Sequence, residues 1–133
     1  MRLLDLYKYA ENSDIPVIPF ELPESESVSM SISGKCFVGI DPCKLKDTYD
    51  EKAKLAHELG HCETGAFYNE YSAYDVRSKH EHKADVWAIK KLVPKDELIA
   101  AINSGCANRY ELSEHFELPE SFIQRALDYY FDV

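Results

Sequence analysis

The chain has 133 residues, 45% of them hydrophobic and 29% charged, which is enough for one core and too short for a second large domain. With 24 acidic against 15 basic side chains, the net charge of −9 sets the field of the molecule against phosphate-driven binding to DNA or RNA. Charges interrupt every apolar stretch and residues 1–8 lack the apolar centre of a signal peptide, so no membrane contact and a cytoplasmic location are expected.

Leu3, Leu4, Leu6, Tyr7 and Ala10 mark one face of an opening helix, which Ser13, Asp14 and Pro16 stop before an extended run at Val17-Ile18. The acid-, serine- and proline-rich stretch 21–27 reads as a solvated loop. Val28, Met30 and Ile32 alternate with serines, Gly34-Lys35 supplies a turn, and Cys36, Val38 and Ile40 alternate again up to Asp41-Pro42. That pattern predicts an antiparallel hairpin. Thr48 with Glu51 has the form of a capping box and places a helix from about Tyr49 through His61 towards Gly65. Residues 64–79 carry Phe67, Tyr68, Tyr71 and Tyr74 without a helical or strand period. They read as a loop whose rings either pack it or wall a substrate. Helices follow over His80 to Val93, over 95–103, from Asn108, and over 119–131.

The whole is an α+β chain read as one domain, 1–133, with a core at 1–94 and a helical subregion at 95–133. That subregion holds eight acids against Lys95, Arg109 and Arg125, so its last two helices suit packing or protein docking better than DNA reading. Cys36, Cys43, Cys62 and Cys106 form no C-x-x-C pair and are expected as reduced thiols, each packed as a small apolar side chain.

His57-Glu58-Leu59-Gly60-His61 is an H-E-x-x-H motif inside a predicted helix. Residues four apart lie about 40° apart on a helix, so both imidazoles can reach one metal ion, while Glu58 projects about 100° to the side. Ala53, Ala56 and Gly60 flank the histidines and leave room for a second helix or a substrate. On the following helix Glu81 and Asp85 share a stripe with Ala88 and Leu92, and carboxylates among apolar residues ask for a cation. Zinc held by His57 and His61 would be that cation, with Glu81 as a third ligand and Asp85 accepting a histidine's other ring N–H. His80 and His82 point to either side of that stripe, and Cys62 points away from the histidine face.

The run His57 to Cys62, then Arg77, then Glu81-His82-Lys83-Ala84-Asp85-Val86-Trp87-Ala88 up to Leu92-Val93-Pro94, resembles the ImmA/IrrE family of phage and mobile-element metallopeptidases. Tyr110 to Phe116 with Leu118-Pro119 resembles that family's carboxy-terminal helices. The resemblance implies a small antiparallel sheet on zincin-like helices, followed by a helix-turn-helix-like segment. It implies Zn2+ on His57, His61 and Glu81, with Glu58 as catalytic acid/base and Asp85 behind the ligands. It further implies an endopeptidase that cuts a helix-turn-helix repressor, chosen by its cleft or its carboxy-terminal helices. The alternative is a non-catalytic metal-binding anti-repressor that blocks its partner. Glu58 favours the enzyme, because a structural metal site needs no base. His80, His82, Tyr68, Tyr71 and Tyr74 are the nearby donors for a developing oxyanion, and the sequence selects none of them. The edge of the 28–40 hairpin, just before the metal helix, is expected to take substrate as an added strand.

Overall fold

The computed structural model describes residues 1–68 and 72–131. Helix α1 (Leu3–Asn12) begins where the Asp5 carboxylate accepts from the Arg2 backbone N–H, and Asp14, at a φ of 56°, turns the chain into β1 (Val17–Pro19). Strands β2 (Ser27–Ile32) and β3 (Lys35–Ile40) form the expected antiparallel hairpin. β1 joins alongside β3 in parallel, giving the order β1-β3-β2. The hairpin turn is Ser33-Gly34, one place earlier than Gly34-Lys35, and both residues have the positive φ that a tight two-residue turn requires.

Residues facing each other across an antiparallel pair share one side of the sheet. Ser27, Ser29 and Ser31 stand opposite Ile40, Val38 and Cys36, so the serines lie on the inner side with the buried Val38 and Ile40. Val28, Met30 and Ile32 take the outer side, where Met30 is 45% and Ile32 55% exposed. The alternation therefore marks the strand correctly while its apolar half faces out. Ser27, at the end of the stretch read as solvated loop, is the first residue of β2.

After a 3-10 turn at Pro42–Lys44, helix α2 (Thr48–Thr64) is capped by Asp47, whose Oδ1 accepts from the Asp50 N–H at 2.8 Å. Glu51, expected to complete a box with Thr48, instead accepts from Tyr7 Oη of α1 at 2.5 Å. Gly65 ends the helix in the left-handed region at φ 65°. Helix α3 (Tyr74–Leu92) starts at Tyr74 rather than His80. Residues 74–79 are exposed all round, so they bury no stripe and leave no period to read; backbone bonds such as Arg77 N–H to the Ala73 carbonyl (3.0 Å) carry them. The remaining helices are α4 (Lys95–Asn103), α5 (Arg109–Phe116), capped by Asn108, and α6 (Glu120–Phe131).

One core cluster joins Leu6, Val38, Leu55, Leu59 and Leu92 to Leu118, Phe122 and Ile123. Lys52 is buried beside it, and its ammonium donates to the Phe116 carbonyl at 2.6 Å, where the last turn of α5 leaves carbonyls unpaired. Helices α2 and α3 pack closely. A Cβ built on Gly60 would stand 2.5 Å from the Ala84 carbonyl oxygen, so glycine is required for the two helices to touch.

The cysteines depart from expectation. Cys36 of β3 and Cys62 of α2 form a disulfide, with Cα atoms 5.7 Å apart, Cys43 is exposed and Cys106 is half-buried. The scattered spacing gave no hint of the pairing, because it depends on β3 lying against the far end of α2.

Two outcomes follow from this packing. Gly60→Ala relieves a helix-propensity penalty of about 1 kcal/mol, yet the obstruction is backbone, and overpacking costs about 1–3 kcal/mol. The variant should be the less stable protein by urea unfolding. Cys36→Ser with Cys62→Ser should lower stability by about 3 kcal/mol for a 26-residue separation, and a reducing agent should do the same to the wild type but not to the variant.

Candidate metal centre

Helix α2 presents His57 and His61 one turn apart, and α3 brings Glu81 across the Gly60 contact to meet both. His57 Nε2 lies 2.8 Å from Glu81 Oε2 and His61 Nε2 lies 3.0 Å from Glu81 Oε1. The imidazoles stand nearly perpendicular, with centroids 4.8 Å apart. One donor atom from each of His57, His61 and Glu81 falls within 4.8 Å of the other two, a cluster that could hold a metal ion.

The opposite ring nitrogens are already engaged. His57 Nδ1 lies 2.8 Å from Asp85 Oδ1, and His61 Nδ1 meets the Ala66 carbonyl, with the Ala66 N–H returning a 3.2 Å bond to the His61 carbonyl. A carbonyl and a carboxylate only accept, so both Nδ1 atoms carry the proton, and in neutral rings both Nε2 lone pairs point at the Glu81 carboxylate. Three lone-pair donors aimed at one place repel each other unless a cation lies among them. The donor chemistry therefore fits zinc or another first-row ion. Burial disfavours charge on His57, but the Asp85 hydrogen bond and the nearby Glu58, Glu81 and Asp85 charges outweigh it and raise its pKa. Burial pushes the Asp85 pKa up, and the His57 bond and charge more than reverse this, so its carboxyl titrates below the ordinary range.

Glu58 is buried and accepts from Ser27 Oγ at 2.7 Å, which fixes its carboxylate beside the histidines. A cleft opens on both sides of it. One lobe, about 340 Å³, lies under Val28, Ser29, Phe67 and Tyr68. The other, about 580 Å³, runs past Asp85 to Lys46, Lys54 and Arg125, so α6 contributes a wall. Tyr68 Oη donates to Glu81 Oε1 at 2.8 Å. Among the other donors near in sequence, His80 packs against the Tyr68 ring with Nδ1 buried and unbonded, His82 faces Trp87 and Tyr129 away from the cleft, and Tyr74 is 79% exposed. Tyr71 lies outside the described residues. Ser27 and the Ala66 carbonyl had no sequence signal, since both acquire their roles from a strand and a turn folding back on α2.

Residues 10–128 match the family model of the IrrE N-terminal-like domain, Peptidase_M78. The chain belongs to this family. No curated protein matches it. Membership in Peptidase_M78 supports a hydrolase of the metallopeptidase type acting on protein, and the His57, His61 and Glu81 cluster could hold a metal ion. Among the described residues no helix is long and apolar enough to cross a membrane.

The His57–Asp85 pair sets a pH dependence for the metal-free family member. Its contribution is lost as pH falls through the lowered Asp85 pKa, and lost again as pH rises through the raised His57 pKa. Under chelation the thermal midpoint, relative to His57→Asn, should be highest at mildly acidic pH and decline as pH rises above about 6.5, the ordinary histidine value. Added zinc should reverse that trend, because it competes with protons for His57. Thermal scans at acidic and alkaline pH, with chelator and with zinc, read both.

Proposed function

We propose that the protein is a zinc endopeptidase that cuts a specific helix-turn-helix repressor of a phage or mobile element. The observation that carries this reading is the convergence of His57 Nε2, His61 Nε2 and a Glu81 oxygen beside a buried Glu58, with open cleft on either side. In this reading His57, His61 and Glu81 hold the ion, Asp85 and the Ala66 carbonyl orient the two imidazoles, and Glu58 moves the proton. Zinc, when bound, supplies Lewis acidity at the scissile carbonyl. Glu58 takes a proton from the attacking water and passes it to the leaving amine nitrogen. Ser27, by holding one oxygen of Glu58, leaves the other free for that transfer.

The strand available to receive substrate is β2. β3 is paired on both sides, so the Cys36 to Ile40 backbone is already satisfied, whereas β2 is an edge whose Ser27, Val28 and Ser29 line the cleft. The chain is read as a single unit, 1–133, with 1–94 as peptidase core and 95–133 as a helical subregion whose α6 flanks the cleft. A cytoplasmic site of action, where a repressor is met, sets the Cys36–Cys62 bridge against a reducing thiol pool.

Metal content by mass spectrometry and cleavage of a quenched-fluorescent peptide library test the assignment together. Wild type and Glu58→Gln should each hold close to one zinc, and His57→Ala and Glu81→Gln should lose it. Glu58→Gln should cut about 10²–10⁴-fold more slowly. Zinc retained with no cleavage of any peptide or co-expressed repressor would transfer the reading to a metal-binding anti-repressor.

A further inference from the structure

We propose that Tyr68 is a catalytic residue of this site, its hydroxyl leaving Glu81 to hydrogen-bond the carbonyl oxygen of the scissile peptide as that oxygen gains negative charge. The inference rests on the peptidase reading above. Hydrolysis at the site builds negative charge on that oxygen, since the water's oxygen bonds to the carbonyl carbon while the carbonyl π pair moves onto oxygen, and a hydrogen-bond donor there adds to the Lewis acidity that a bound metal would supply. The water proton travels on Glu58 to the amine nitrogen, the C–N bond breaks, and the pair on oxygen returns to re-form the carbonyl. Tyr68 transfers no proton in this sequence; it donates one hydrogen bond that is strongest between the two steps.

Several observations select it. Tyr68 Oη sits 2.8 Å from Glu81 Oε1, which is itself 3.0 Å from His61 Nε2, so the hydroxyl borders the ion-holding cluster directly. Its ring meets the His61 ring edge-on at 6.3 Å and lines the same lobe of the cleft as Glu58. The side chain is 41% exposed, so the hydroxyl can exchange one carboxylate acceptor for an incoming oxyanion without opening the core. Its placement is tied to that of a histidine: the left-handed turn at Gly65 folds the chain back, Ala66 exchanges hydrogen bonds with His61, and Tyr68 follows two residues later. Ser29 lines the same lobe from β2, but Tyr68 is the lobe's hydroxyl that already bonds Glu81. Ser27 Oγ is committed to Glu58, and Arg125 lines the other lobe.

The test is Tyr68→Phe, which removes one oxygen from a partly exposed ring. Three readouts are taken: zinc content, kcat and KM on the best-cleaved peptide of the library, and affinity for a phosphonamidate tripeptide, whose tetrahedral phosphorus carries oxygens where the oxyanion would form. Zinc content and KM should stay near wild type, while kcat and phosphonamidate affinity each fall about 10²–10³-fold. Zinc lost along with activity would overturn the proposal and make the hydroxyl a clamp on Glu81. Unchanged kcat and phosphonamidate affinity, in a protein whose wild type cleaves and binds, would remove Tyr68 from the mechanism and leave the peptidase reading standing. A wild type that neither cleaves nor binds the phosphonamidate would overturn both.

Discussion

The site depends on a glycine that lets two helices meet. With the Ala84 carbonyl against Gly60, α3 lies close enough for Glu81 to reach the imidazoles of His57 and His61, both within four residues of that contact. A methyl group at position 60 has no space, and the obstacle is backbone, which cannot rotate aside. On the opposite side of α2, Leu55 and Leu59 are fully buried, so the same helix is anchored by its apolar face and carries the candidate metal ligands on the other. Stability and function thus share one short piece of α2 without competing for the same side chains.

The order of the polar contacts around the centre has a common logic. Asp85 and the Ala66 carbonyl each take an N–H from a histidine, which leaves the remaining nitrogen of each ring as a lone pair facing Glu81. Ser27 takes one oxygen of Glu58 in the same way. His57, His61 and Glu58 are each held from behind by an element other than their own helix, or by the turn that ends it. Such bracing limits the rotamer freedom that a loosely held site would have to lose on binding.

Much of this was legible in the sequence because it is local. The histidine spacing, the Glu81–Asp85 stripe with Ala88 and Leu92, and the stops at Gly65, Pro94 and Asn103 all follow from helical periodicity and capping, and they reappear in α2, α3 and α4. What was hidden is non-local or unburied. The first turns of α3 bury nothing, so no period announces them. The Cys36–Cys62 bridge and the Ser27–Glu58 bond join residues far apart in sequence through the way the sheet lies on α2. The cap is Asp47 rather than Thr48, and Glu51 bonds Tyr7, a residue of a different helix that the local pattern does not reveal. The side of β2 that is buried could not be read either: serine and aliphatic residues alternate on that strand, and only the position of α2 decides which set turns inward.

That inversion of β2 carries a cost in solution. Ser27 to Ile32 contains no charged residue and no proline, the strand lies at the sheet edge, and its Met30 and Ile32 are exposed. Charges and prolines are what commonly keep such an edge from zipping onto a neighbour's strand. The backbone that suits β2 to accept a segment of another protein therefore leaves it equally open to the same strand of a second molecule. Concentrated protein is expected to self-associate along this edge, and a lysine on the outward side, at Met30, is the substitution that would discourage it.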